Sequence, residues 1–163
     1  MIVIGIDPGT RYTGYGIIEK RGSALTRLCS GRVVAGTSKD PLPERMGLIH
    51  EGLTEIFSTY APEACALEGI FMAKNAMSAL KLGHARGVVM LTARLHHAPV
   101  YEYPPASVKQ AVTGSGRATK DTVQLMVRRL LGYTSAMSED ESDALAAAIC
   151  HCNTQSFYQR LRT

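Results

Sequence analysis

The 163-residue chain has no apolar run able to cross a membrane. The run around Val88–Leu91 is broken by Thr92 and Arg94, far short of the ~20 apolar residues that a span needs. A charged-then-apolar leader is also missing, because Met1–Ile6 runs directly into Asp7. Both absences point to a soluble, cytoplasmic protein. The four cysteines, Cys29, Cys65, Cys150 and Cys152, make no metal-binding pattern. "CHC" at 150–152 lies in a helical run, where adjacent residues diverge by roughly 100° and cannot share an ion without unwinding. Reduced, mostly buried thiols are expected instead. No linker, repeat or low-complexity tract divides the chain, and no His–Ser or Cys–His pair offers a nucleophilic centre. This length can bury one sizeable core but not two. We therefore expect a single domain over 1–153 and a short basic tail over 154–163.

What is present reads as a layered domain. An apolar run over 1–7 predicts a first strand, and "TGYGIIEK" and "ALTRLCSGRVV" predict the next two as an antiparallel pair turned around Arg21–Ser23. Leu42, Met46, Ile49, Leu53, Ile56, Phe57 and Tyr60 form the apolar stripe of a helix over 42–60. "EACALEGI" predicts a buried strand ending near Glu68, followed by a helix over 75–97 and a strand over 98–103. Three helices complete the chain, over 105–112, 119–131 and 139–152, with Thr119 as an N-cap and Gly132 as a stop. A meander followed by alternating strands and helices implies an α/β fold, a mixed sheet with helices on its faces.

The chemistry resides in the acids. Asp7 ends the first strand inside "GIDPGTRYTGYG", and Glu68 ends a strand that the intervening helix makes parallel to it. If the two are neighbours, both carboxylates emerge at one sheet edge, where open α/β sheets place their sites. "SEDESD" opens the last helix, with Asp140 and Asp143 on one face. Taken singly, each has a structural explanation: an Asp-Pro-Gly turn, a strand end, and acids complementing a helix N-terminus that Ser138 caps. Together, converging carboxylates repel one another unless a divalent cation binds. An oxygen-only set suits Mg²⁺ or Mn²⁺, and a pair of such ions can drive phosphodiester hydrolysis. The formal charge of +4 tilts weakly towards anionic partners; with four of the 14 acids committed to metal, 18 basic residues face 10 acidic ones.

"GIDPGTRYTGYG", "LEGIFMAKNAMSALKLGHARG", "VKQAVTGSGRATK" and "DESDALAAAICHC" closely resemble, in order and from residue 2 to about 153, the RuvC family of Holliday junction resolvases. The resemblance implies an RNase H-like fold, a homodimer and Mg²⁺-dependent paired nicking of a four-way DNA junction in homologous recombination and DNA repair. Two Mg²⁺ ions per active site are expected, with Mn²⁺ as a substitute, and a branch-migration helicase complex as a partner. By motif position Asp7, Glu68, Asp140 and Asp143 form the catalytic, metal-binding set; Glu139 with Asp143 matches the motif less well, and Glu141 adds a further candidate. The family pattern has glutamine after this glutamate where Gly69 stands here, which would loosen the loop.

For DNA the same resemblance points to Phe71, stacking on an unpaired base, although from sequence alone a core aromatic capping the strand is the favoured reading. It also points to Lys74, Asn75, Ser78 and Lys81 as donors to phosphate, and to Lys109 and Lys120 beside the cleaved strand. Independently, "GSGRATK" sets flexible glycines, Arg117 and Lys120 at a helix N-terminus, as a phosphate site would. In the helix over 75–97, Ala79, Gly83 and Gly87 suggest close approach by another element, either its own sheet or a second copy of the helix. Gly14 and Gly16 are expected to keep bulk away from the site. "GIDPGT" also resembles the phosphate loop of actin-like ATPases, which need a second lobe that 163 residues do not supply. A junction-binding protein without catalysis is a third reading, at odds with four well-placed acids.

Overall fold

The computed structural model describes residues 1–69 and 76–160, with side chains as far as Gln155. Three strands, β1 (Ile2–Asp7), β2 (Tyr12–Arg21) and β3 (Ala24–Val34), form an antiparallel meander. Gly22, at φ 59°, makes the β2–β3 turn. After α1 (Leu42–Tyr60) come β4 (Ala64–Glu68), α2 (Ala76–Leu95) and β5 (Val100–Tyr103). Helices α3 (Pro105–Thr113), α4 (Lys120–Leu130) and α5 (Glu139–Arg160) complete the fold. The sheet runs β3-β2-β1-β4-β5, with β1 parallel to β4 and β4 parallel to β5. This is the mixed sheet with helices on both faces that the pattern predicts, with β1 and β4 as neighbours.

The two-residue period of β1 divides its side chains between two cores. Ile4 and Ile6 point towards α1 and α2, where they pack with Leu53, Phe57, Leu67 and Val89. Val3 joins the opposite core with Val108, Val127 and Ile149. Fully covered residues such as Phe57 and Leu53 each contribute roughly 1.5–3 kcal/mol of hydrophobic stabilisation. Both flanks of α5 are covered, by the sheet on one side and by α3 and α4 on the other, so Ala144–Cys150 is buried without a break. A helix buried all round needs no polar face.

The side chains between α5 and the sheet are small. A methyl group built on Gly5 would overlap the Ala144 carbonyl oxygen, one on Gly14 the Asp140 carbonyl oxygen, and one on Gly16 the Leu145 side chain. The glycines of β1 and β2 therefore make room for α5 itself, and this close approach brings the N-terminal turn of the helix to the end of β1.

Several helix ends follow their caps. The Thr119 hydroxyl accepts the Thr122 N–H at 3.3 Å, and the Ser138 hydroxyl accepts the Glu141 N–H at 3.3 Å. Gly132 stands at φ 61° just past α4. At its far end α5 continues to Arg160, beyond the expected 152. Nothing among the described residues lies within 4 Å of a methyl group built on Gly83 or Gly87. Packing on the chain's own sheet therefore does not account for them. They lie on an exposed face of α2 together with Leu80, Leu91 and Leu95.

Candidate active site

Asp7, two residues beyond Gly5, takes the α5 face of β1. One step past the Ile6–Leu67 pair, Glu68 ends the neighbouring parallel strand on the same face. Asp7 is paired with Gly14, and Gly14 with Arg32. Directly opposed residues project to one face, so Arg32, Gly14, Asp7 and Glu68 form a single row across four strands. The bare backbone of Gly14 leaves the gap into which Asp140 enters from the first turn of α5. Asp143, one helical turn on, faces the same site.

The loop leaving β1 is held from several sides. Thr13 donates its hydroxyl to the Gly9 carbonyl at 2.9 Å, and the Arg11 carbonyl accepts the Ala35 N–H at 2.9 Å. Arg45, buried on α1, donates to the carbonyls of Thr10 and Ala35. The Asp-Pro-Gly turn is thus rigid, and it presents a carboxylate.

Electrostatics tie the acids together. The Asp7 carboxyl is pushed up from 3.8 to about 7, first by burial, then by the charges of Asp143, Asp140 and Glu68, against a smaller opposing pull from Lys120. Glu68 is raised by burial and by Asp143, with Lys109, Lys120 and Arg86 opposing. Asp143 is also raised, first by burial, while Lys120 pulls the other way. Lys120 lies 3.7 Å from both Asp143 and Glu139, and its own ammonium is stabilised chiefly by Asp143.

This is a donor set with surplus negative charge. It is oxygen-only, as a hard divalent cation requires. Among the described residues no three such side chains converge closely enough to enclose an ion. Asp7, Glu68, Asp140 and Asp143 could hold the cation. A cleft of about 50 Å³ opens beside them, lined by Glu68, Lys109, Lys120 and Asp143.

The remaining expected residues distribute unevenly. Arg117 is exposed in the α3–α4 loop, and Ser78 and Lys81 lie exposed near the start of α2. Phe71, Lys74 and Asn75 lie outside the described residues. Glu139 is exposed beside Lys120. Glu141 turns away from the cluster, accepts the Ser30 hydroxyl and lies 3.7 Å from Arg27, whose guanidinium covers the Tyr133 ring at 4.3 Å. It fastens α5 to β3. Gly69 is tied rather than loose, since its N–H donates to the Tyr103 carbonyl at 2.7 Å.

Two arginines escaped the sequence reading. Arg86, buried on α2, donates to the Glu68 carbonyl at 2.7 Å and to the Glu102 carboxylate at 2.8 Å. Arg32 lies 3.7 Å from Asp140. Only strand register could have revealed Arg32, because it lies two strands from Asp7.

A family model described as crossover junction endodeoxyribonuclease RuvC matches residues 3–151. The chain belongs to the RuvC family. A RuvC crossover junction endodeoxyribonuclease of Syntrophotalea carbinolica is 53% identical over 153 residues, covering 94% of each protein. One of Vibrio vulnificus is 50% identical, covering 94% of this chain and 87% of the relative. A solved structure of Thermus thermophilus RuvC in complex with Holliday junction substrate superposes with a TM-score of 0.89 at 38% identity, covering 100% of this chain and 97% of that one. The yeast mitochondrial Holliday junction resolvase shares the fold, at a TM-score of 0.71 and 13% identity over 98% of this chain and 81% of that one. The RNase H-like architecture expected of a RuvC protein is thus present.

Proposed function

We propose that this chain resolves four-way DNA junctions by hydrolysing a phosphodiester in each of two opposed strands, in homologous recombination and repair. The observation that carries the reading is Asp7, a half-buried carboxyl pushed up to about 7 with three further carboxylates around it. Nucleases of this family depend on divalent metal, and we assign two Mg²⁺ per site, with Mn²⁺ able to replace it. Asp7, Glu68, Asp140 and Asp143 would hold them, and the ions would activate water and stabilise the leaving oxygen. Asp7 is the acid on which the charges of the other three all act, and Glu68 and Asp143 share a cleft beside it. Lys109 and Lys120, on the cleft wall, orient the scissile phosphate and balance its charge. Ser78, Lys81 and Arg117, with Phe71, Lys74 and Asn75, would extend the DNA contact beyond the reacting strand.

Paired cuts require paired sites, and the exposed face of α2 supports a homodimer. Leu80, Leu91 and Leu95 present apolar surface there, and Gly83 and Gly87 allow a second α2 to approach closely. Sedimentation at micromolar concentration should show a dimer, and a strict monomer would refute it. We take residues 1–153 as the nuclease unit and a branch-migration helicase complex as its partner, by family. No helix among the described residues is long and apolar enough to cross a membrane, in keeping with a cytoplasmic enzyme.

The test is a synthetic mobile four-way junction incubated with protein and Mg²⁺ or Mn²⁺. Symmetric paired nicks are expected, lost in Asp7→Asn with binding retained. Duplex cut as fast as the junction would refute the specificity. ATP hydrolysis without DNA cleavage would overturn the chemistry.

A further inference from the structure

Each aspartate of α5 is held by a cation from a different flank of the site. On the α4 side Lys120 stands 3.7 Å from Asp143; on the β3 side Arg32 stands 3.7 Å from Asp140. The flank with Lys120 and Lys109 already belongs to the DNA surface proposed above. The flank with Arg32 has no role in it, yet its chemistry is similar. The Arg32 guanidinium lies over the Tyr12 ring, 4.6 Å from its centroid, and that of exposed Arg11 lies over the same ring at 5.1 Å. Two cations are thereby gathered around one aromatic ring, and one of them stands beside a carboxylate of the site.

The link between Arg32 and Asp140 is loose. At 3.7 Å it exceeds hydrogen-bonding distance, and the two side chains are 43% and 33% exposed. Exposed pairs of this kind are weak, so a divalent cation competes easily for the carboxylate. Arg32 would then lose its counter-charge while remaining over the Tyr12 ring that Arg11 also contacts. A stacked, planar guanidinium that has lost its carboxylate is a good donor to phosphate oxygens.

We propose that Arg32 and Arg11, gathered on Tyr12, form a second phosphate-binding contact for DNA on the β3 side of the carboxylates, and that metal uptake by Asp140 releases Arg32 to it. This rests on the assignment of Asp140 to the metal set. It makes metal and DNA binding mutually reinforcing: the ion that completes the site also frees a hand for the substrate. Arg32 also lies in the same cross-strand row as Asp7, so the strand gripped by this flank would run alongside the reacting carboxylates.

The test is binding, not cleavage. Anisotropy of a fluorescent four-way junction with the full chain is titrated across 50–300 mM KCl, in EDTA and in Ca²⁺, with the DNA checked for intactness on a denaturing gel. In Ca²⁺, Arg32→Ala should weaken binding roughly five- to tenfold near 0.1 M salt and lower the log–log salt slope by about one. In EDTA the same variant should lose clearly less, about two- to fourfold, because Asp140 competes for the arginine without holding it outright. Adding Asp140→Asn should restore the Arg32 contribution in EDTA. Arg11→Ala, which does not depend on Asp140, should reduce the slope under both conditions, and Arg32→Lys should retain most of it. Equal binding by wild type and Arg32→Ala in Ca²⁺ overturns the contact, and an equal loss in both conditions overturns the release. A wild type that prefers duplex to junction would instead refute the junction reading, leaving the Arg32 comparison readable on either DNA.

Discussion

Replacing Asp7 with asparagine should stabilise the metal-free protein while abolishing its chemistry. In the folded chain the carboxyl is pushed up from 3.8 to about 7. A raised carboxyl favours folding only while protonated, so its contribution is complete below pH 3.8 and is lost as pH rises through about 7. A shift of about three units corresponds to roughly 4 kcal/mol. Asp7 is partly open to water, which screens the repulsion, so we expect about 2 kcal/mol to be recovered by the neutral amide. For a chain of this size that is an increase in melting temperature of about 4–8 °C. Thermal unfolding in EDTA at pH 8.5 should show this gap, and at pH 3, below the unfolded-chain value of 3.8, the two proteins should melt within about 2 °C of each other. Mg²⁺ should raise the wild type at pH 8.5 more than the variant. A variant that melts no higher than wild type at pH 8.5 in EDTA, or a gap that persists in acid, would refute the electrostatic account of the site.

Arg86→Met should leave junction affinity unchanged but shift the Mg²⁺ midpoint for cleavage upwards several-fold, with a stability loss of about 2–3 kcal/mol; Glu102→Gln, which keeps the bond to the Glu68 carbonyl, should cost under about 1 kcal/mol. Buried His151 shares a 2.7 Å hydrogen bond with Tyr103 and has its pKa lowered from 6.5 to about 4 by burial. Its neutral form supports the fold above pH 6.5, and that support is lost as pH falls through about 4. His151→Gln should therefore remove roughly 3 kcal/mol of acid sensitivity relative to wild type, read from urea midpoints across this range. Gly5→Ala should yield insoluble protein or a melting temperature lower by more than about 10 °C, because the backbone of Ala144 and Ala148 occupies the space. Gly47→Ala on α1, with nothing within 4 Å, is the control and should be neutral or stabilising by up to about 1 kcal/mol.

Periodicity and caps carry much of this fold. The stripe from Leu42 to Tyr60 matches α1, and Thr119 and Ser138 cap their helices where hydroxyls before an acidic first turn should. The single helix α1 between β1 and β4 implies that the strands ending in Asp7 and Glu68 run parallel, whereas their adjacency appears only in the sheet order. The positions of Arg32 and Glu141 are not implied either, because both depend on β2–β3 register and on the rotation of α5, which no local pattern encodes. Nor could spacing show which acid of "SEDESD" faces the sheet; the packing of Ala144 and Leu145 against glycines decides it. In sequence Gly83 and Gly87 fit intrachain and interchain packing equally; among the described residues nothing lies within 4 Å of a methyl group built on either.

The contact between the glycines of β1 and β2 and the alanines of α5 sets a dimension. Half of the carboxylates ride on a strand and half on a helix, and the separation of those two carriers is gauged by the width of a missing methyl group. The working size of the reaction centre is therefore recorded in residues that take no part in its chemistry. A drift of the protein towards a different metal or a longer acidic side chain would have to begin with them.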